Sequence, residues 1–111
     1  MGETLITMWV YGVSMEAHNA TTDAIAADAL RHAADCVAEL KKKGEPMGPH
    51  QTFRRGYNAA DQFVVNSPLS GDEFAEAVDV AGDAIGMALD HEIAGKDAAE
   101  FYRNKADSIE N

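Results

Sequence analysis

The stretch that decides the fold runs from Ser70 to Asp90 and reads SGDEFAEAVDVAGDAIGMALD. Within it Asp72, Glu76, Asp79, Asp83 and Asp90 recur at spacings of 4, 3, 4 and 7. At about 100° per residue these five fall within roughly 60° of one another on a helix. Phe74, Val78, Ala81, Ile85, Ala88 and Leu89 fall on the opposite side. That period excludes a strand and predicts an amphipathic helix with an acidic outer stripe. Ser70 followed by Glu73 has the spacing of a capping box, in which each side chain satisfies a free backbone N–H of the first turn. The helix is expected to run to about His91 and stop near Gly95. From Gly56 to Gly95 the chain carries eight carboxylates and neither Lys nor Arg.

Downstream, Asp97 and Glu100 repeat the same cap logic for a last helix carrying Ala98, Phe101, Tyr102, Ala106 and Ile109. Upstream, Phe53, Tyr57, Ala60 and Val64 repeat at 4, 3 and 4, a helical stripe that ends before Asn66-Ser67-Pro68 and contains Gly56. A turn-rich connection, Glu45-Pro-Met-Gly-Pro49, precedes it. Before that, Thr21, Thr22 and Asp23 offer caps for a helix running to about Lys43. Its apolar face holds Ile25, Ala29, Leu30, Ala33, Cys36, Val37 and Leu40. Lys41, Lys42 and Lys43 sit where the helix dipole favours cations, and Gly44 supplies the stop. Asp28, Asp35 and Glu39 share its outer face within roughly 40°, a second acidic stripe.

The segment Thr4–Val13 is rich in β-branched and aromatic residues and reads locally as a strand. A lone strand cannot satisfy its backbone groups, so it must pair across a dimer, pair with Phe63–Val65, or be helical. The residue types favour the strand. Trp9 and Tyr11 then serve either as core bulk or as dimer contacts, since an exposed apolar edge invites pairing.

At 111 residues, with 46% hydrophobic and 25% charged side chains, the chain suits one globular domain over 1–111. Much of the apolar share is alanine, which implies a thin core with closely packed helices. The expected architecture is mainly α: about four amphipathic helices in a compact bundle, with the N-terminal strand at 4–13. A formal net charge of −10, from nineteen acids against nine bases, opposes nucleic acid and anionic membrane as direct partners and favours basic protein surfaces. A single cysteine, Cys36, cannot form an internal disulfide, and Leu5–Val13 is too short to span a bilayer. A cytoplasmic location follows as the expectation.

Several residue sets bear on chemistry. Glu73, Glu76, Asp79 and Asp83 include carboxylate pairs three and four apart that can share a hard cation such as Mg²⁺. The run Val80-Ala-Gly-Asp-Ala-Ile85 resembles an acidic motif of the all-helical nucleoside-triphosphate pyrophosphatases of the MazG type. It matches the Gly and the Asp of that motif, but Val80 stands where a ligand glutamate is expected. Asp35-Cys-Val-Ala-Glu39 lacks the spacing of the family's second motif. The resemblance implies a metal-dependent nucleotide hydrolase. Asp28, His32 and Cys36 stand four apart on one helix, a Zn²⁺-compatible spacing without a fourth ligand. Ser14, Ser67, Ser70 and Ser108 have no nucleophile-elbow context. Gly82 and Gly86, four apart within a helix, admit either a close neighbouring helix or a partner. Five bases, Lys41, Lys42, Lys43, Arg54 and Arg55, cluster around the Pro-Gly loop. They read either as a phosphate contact with Phe53 or Tyr57 for stacking, or, more simply, as neutralisation of the acid stripes.

The leading expectation is a binding module without metal or cofactor: an inhibitor or regulator presenting acidic helices to a basic surface that evolved for nucleic acid. Its contact residues are Asp72, Glu76, Asp79, Asp83 and Asp90, with Asp28, Asp35 and Glu39 alongside. A helix of about 21 residues is roughly 32 Å long, comparable with one turn of B-form DNA. In character the chain looks like the small acidic accessory proteins that phages use against host defence, anti-CRISPR proteins among them. The alternatives are the MazG-like hydrolase and a self-assembling structural protein.

Overall fold

A computed structural model describes residues 11–111, with side chains from residue 21 onward. Four helices follow one another: α1 Tyr11–Lys42, α2 Pro49–Val65, α3 Gly71–Asp90 and α4 Gly95–Glu110. There is no strand among the described residues. Of the expected strand, residues 4–10, including Trp9, lie outside the described residues. Tyr11, Gly12 and Val13 open α1, which corrects the strand reading for those three positions. The physical reason is backbone satisfaction: a helix pairs its own N–H and C=O groups, whereas the described residues offer no second strand to pair with.

The first helix also corrects the expected cap at Thr21–Asp23. It begins ten residues earlier, and Thr22 is a buried mid-helix residue, 1% exposed. At 32 residues α1 is about 48 Å long, which accounts for the 51 Å long axis of the molecule. The other three helices pack around it. Being touched on several sides, α1 buries more than one stripe: Ala26, Ala27, Ala29, Leu30, Ala33, Ala34 and Val37 are all fully buried. Leu40 and Ile25 are half-buried at its margins.

The core is built mostly of alanine, as the composition implied. Ala77, Ala81, Ala84, Ile85 and Ala88 bury one side of α3, and Ala98, Ala99, Tyr102 and Ala106 one side of α4. Small side chains bring backbones close, and the few large ones must then fit into notches. Tyr102 is the largest fully buried side chain. Its ring lies against α2 where Gly56 leaves space: a methyl there would stand 2.9 Å from the Tyr102 hydroxyl oxygen. The glycine that interrupts the α2 stripe is thus a seat for an aromatic ring.

Helix ends follow local chemistry. At the end of α1, Gly44 (φ 88°) lets its own N–H reach the Lys41 carbonyl and the Glu45 N–H reach the Leu40 carbonyl. This is a Schellman close. Helix α2 starts at Gly48-Pro49, with the Gly48 N–H donating to Gln51 Oε1 at 3.0 Å. Ser70 is the N-cap of α3, as its spacing indicated, but its side chain makes no cap hydrogen bond. Gly71 after it has φ 61°, a left-handed step that glycine adopts without strain. Helix α4 likewise opens at Gly95 (φ 54°) rather than at Asp97, which sits within the first turn.

Candidate functional site

The eight acidic residues singled out by spacing are all exposed, but they divide into two electrostatic classes. Those of α1 are engaged. Helix α4 runs antiparallel along α1, so Arg103 reaches Asp35 at 2.8 Å, while Arg31 of α1 meets Asp28 at 2.9 Å and Asp107 at 3.0 Å and also pairs with Glu110. Glu39 has Lys43 at 3.9 Å one turn on. The hydrogen bond to Asp107, followed by that to Glu110, raises the Arg31 pKa above its ordinary value. Asp28 and Asp35 of the first helix's stripe therefore belong to the charged seam between α1 and α4, and Glu39 is matched within its own helix end.

The stripe of α3 is different. Asp72, Glu76, Asp79, Asp83 and Asp90 make no ion pair or side-chain hydrogen bond among the described residues, and α3 contains no Lys or Arg. Burial of the alanine side fixes the rotation of the helix, so these carboxylates point away from the bundle. Spaced by one turn or less, Asp72–Glu76, Glu76–Asp79 and Asp79–Asp83 are like-charge neighbours on a rigid rod.

The other singled-out residues are placed as follows. Tyr11 is the first residue of α1, and Trp9 lies outside the described residues. Among the described residues no group of three or more His, Cys, Asp or Glu side chains is arranged to hold a metal ion. The Glu73–Asp83 set and the Asp28–His32–Cys36 set therefore do not form such clusters. His32 is exposed, with its ring 5.6 Å from that of Phe63, and Cys36 is a half-buried free thiol. The two interior glycines of α3, Gly82 and Gly86, have different surroundings. A methyl on Gly82 would stand 3.1 Å from Tyr57 Cε2 of α2, whereas one on Gly86 would meet nothing within 4 Å. Gly82 admits a neighbouring helix; Gly86 does not.

The basic cluster divides too. Arg55 pairs with Glu45 at 3.9 Å and Lys43 with Glu39, as neutralisation requires, while Arg54 makes no ion pair among the described residues. Sequence reasoning missed Thr52, a 1% exposed hydroxyl that ties three elements together. It donates to the Met47 carbonyl at 3.1 Å and accepts from the Gly95 N–H at 3.1 Å. Its only sequence signal was its register, four, eight and twelve positions ahead of Gly56, Ala60 and Val64 on one face of the helix.

No helix among the described residues is long and apolar enough to cross a membrane. No protein-family model, curated protein or solved structure matches the chain.

Proposed function

We propose that the protein is a binding module whose α3 face docks on a basic protein surface, acting as an inhibitor or regulator that imitates nucleic-acid charge. The observation that carries the reading is the contrast between the two stripes. The three stripe carboxylates of α1 are matched by Arg31, Arg103 and Lys43, while five on α3 are left exposed and unpaired among the described residues. Three like-charge neighbours on one helix cost stability, about 0.2–0.5 kcal/mol per pair, and a basic partner would offset that cost on binding. Asp72 to Asp90 spans about 27 Å of helix axis, long enough to lie along a groove that follows a nucleic-acid backbone.

The test is affinity capture from a cell extract across a salt series, comparing wild type with the triple variant Glu76→Gln/Asp79→Asn/Asp83→Asn. Wild type is expected to retain a basic, nucleic-acid-binding protein at low salt and to release it steeply as the salt concentration rises through the physiological range. The triple variant is expected to lose it, whereas Asp35→Asn, on the paired seam, keeps it. Equal retention by the triple variant, or a complex indifferent to salt, overturns the proposal.

A further inference from the structure

His50, Phe53, Arg54, Tyr57 and Asn58 line a surface groove of about 370 Å³ on α2. That lies at the small end of the range of about 300–1,000 Å³ typical of small-molecule sites. The five positions share one helix face and span about 12 Å along its axis. The Phe53 and Tyr57 rings stand 5.7 Å apart, tilted by 40°. Tyr57 is steadied from behind by its close approach to Gly82, yet it remains 36% exposed. It is one of the few large apolar side chains left in solvent.

Arg54 gives the groove its sign. The chain has four arginines, and Arg31, Arg55 and Arg103 each hold a carboxylate. Arg54 is exposed and makes no ion pair among the described residues, in a protein with a formal net charge of −10. With nineteen acids available, an unpaired guanidinium reflects local geometry rather than a shortage of partners. The first turn of α2 contains no acid, and the only carboxylate on the helix is Asp61 near its far end. The groove therefore sits toward the positive end of the helix dipole.

We propose that this groove binds a small ligand that joins a flat ring to an anionic group, in its simplest form a nucleoside monophosphate. The ring stacks on the Phe53–Tyr57 pair, and the Arg54 fork takes the phosphate through two parallel N–H···O bonds, with His50 as a further N–H donor. Asn58 offers both a donor and an acceptor to a base edge. Net charge selects the size of the ligand. A single phosphate responds to the local field of Arg54, while a polyanionic strand long enough to leave the groove meets the acidic body of the protein.

The experiment is a titration of the ¹⁵N-labelled full chain with adenosine monophosphate, adenosine, ribose 5-phosphate and inorganic phosphate at low salt, followed by amide chemical shifts. Adenosine monophosphate is expected to shift amides of His50–Asn58 with a Kd on the order of 0.1–1 mM, and each fragment to bind at least about tenfold more weakly. Arg54→Gln, at an exposed unpaired position, is expected to leave the remaining spectrum unchanged and to weaken the nucleotide about tenfold. Three outcomes overturn the proposal: no shift in His50–Asn58 at about 5 mM nucleotide, equal binding by Arg54→Gln, or ribose 5-phosphate matching the nucleotide. The last would show that stacking plays no part.

Discussion

Single residues of this molecule matter most where an alanine-rich core meets a large side chain. Tyr102 is fully buried, and its hydroxyl has no hydrogen-bond partner among the described residues. Burial pushes its pKa up to about 12 from the usual 10.0. Such a group favours the native state fully below pH 10. Between about pH 10 and 12 the unfolded chain ionises first, and that stability is lost. Tyr102→Phe removes both the unsatisfied hydroxyl and the titration. The variant is expected to equal or exceed wild type in urea midpoint at pH 7, by up to about 1 kcal/mol, and to widen its lead by about 2 kcal/mol at pH 12. A constant gap across that range would refute the assignment. The glycines give opposite signs at chemically identical changes. Gly86→Ala meets nothing and is expected to stabilise by about 0.5–1 kcal/mol. Gly56→Ala drives a methyl to 2.9 Å from the Tyr102 oxygen and 3.0 Å from its ring, and is expected to destabilise by about 1–3 kcal/mol. Thermal melts of the two variants decide it. None of this was legible beforehand: spacing showed glycines inside α2 and α3, but only packing shows that Gly56 and Gly82 have a ring behind them and Gly86 has none.

At the level of the element, the interiors of the helices were readable and their ends less so. The 4-3-4 apolar and acidic repeats located α2 and α3 because a helix must bury one stripe whatever its ends do. Gly44 was legible as a stop because a left-handed residue closing a helix is usually glycine. Helix α3 closes in the same way, with the Ile93 N–H on the Ala88 carbonyl and the Glu92 N–H on the Leu89 carbonyl, but its left-handed residue is Glu92 (φ 57°). A glutamate carries no such signal, so Gly95 was read as the stop when it opens the next helix. Glu92→Gly is therefore expected to stabilise by about 0.5–1 kcal/mol, net of the extra backbone entropy, as a shift in denaturation midpoint without change in slope. The turn between α1 and α2 depends on Thr52. Thr52→Val keeps the shape but leaves the buried Gly95 N–H without an acceptor, and is expected to cost about 1–3 kcal/mol. Thr52→Ser, which keeps the hydroxyl, should recover most of that loss. The N-terminal part of α1 was misread for a related reason. Thr21-Thr22-Asp23 has the composition of a cap, yet Thr22 is a buried residue in the middle of a continuous helix.

Across the whole molecule, the distribution of charge carries the functional reading. Both acidic stripes were visible in the sequence, but their difference was not. The bases that engage α1 come partly from α4, with Arg103 and Asp35 separated by 68 positions, and only the antiparallel packing of the two helices brings them together. What remains is an excess of carboxylates concentrated on α3. Two expectations follow from that excess, and together they separate a binding face from a merely solvated one. Added salt screens like-charge repulsion more than it weakens a few exposed ion pairs, so the melting temperature should rise between low and moderate sodium chloride. The triple variant Glu76→Gln/Asp79→Asn/Asp83→Asn removes three carboxylates from one stripe. It is expected to unfold with about 0.5–1.5 kcal/mol greater stability at low salt and with a shallower salt dependence. Greater stability would follow whether the stripe is functional or only solvated surface. Gain of stability coupled to loss of the basic partner is the signature of a surface kept unfavourable for the sake of binding. Greater stability with capture unchanged would instead make the stripe a solubility device, and the α3 face would no longer be the docking surface.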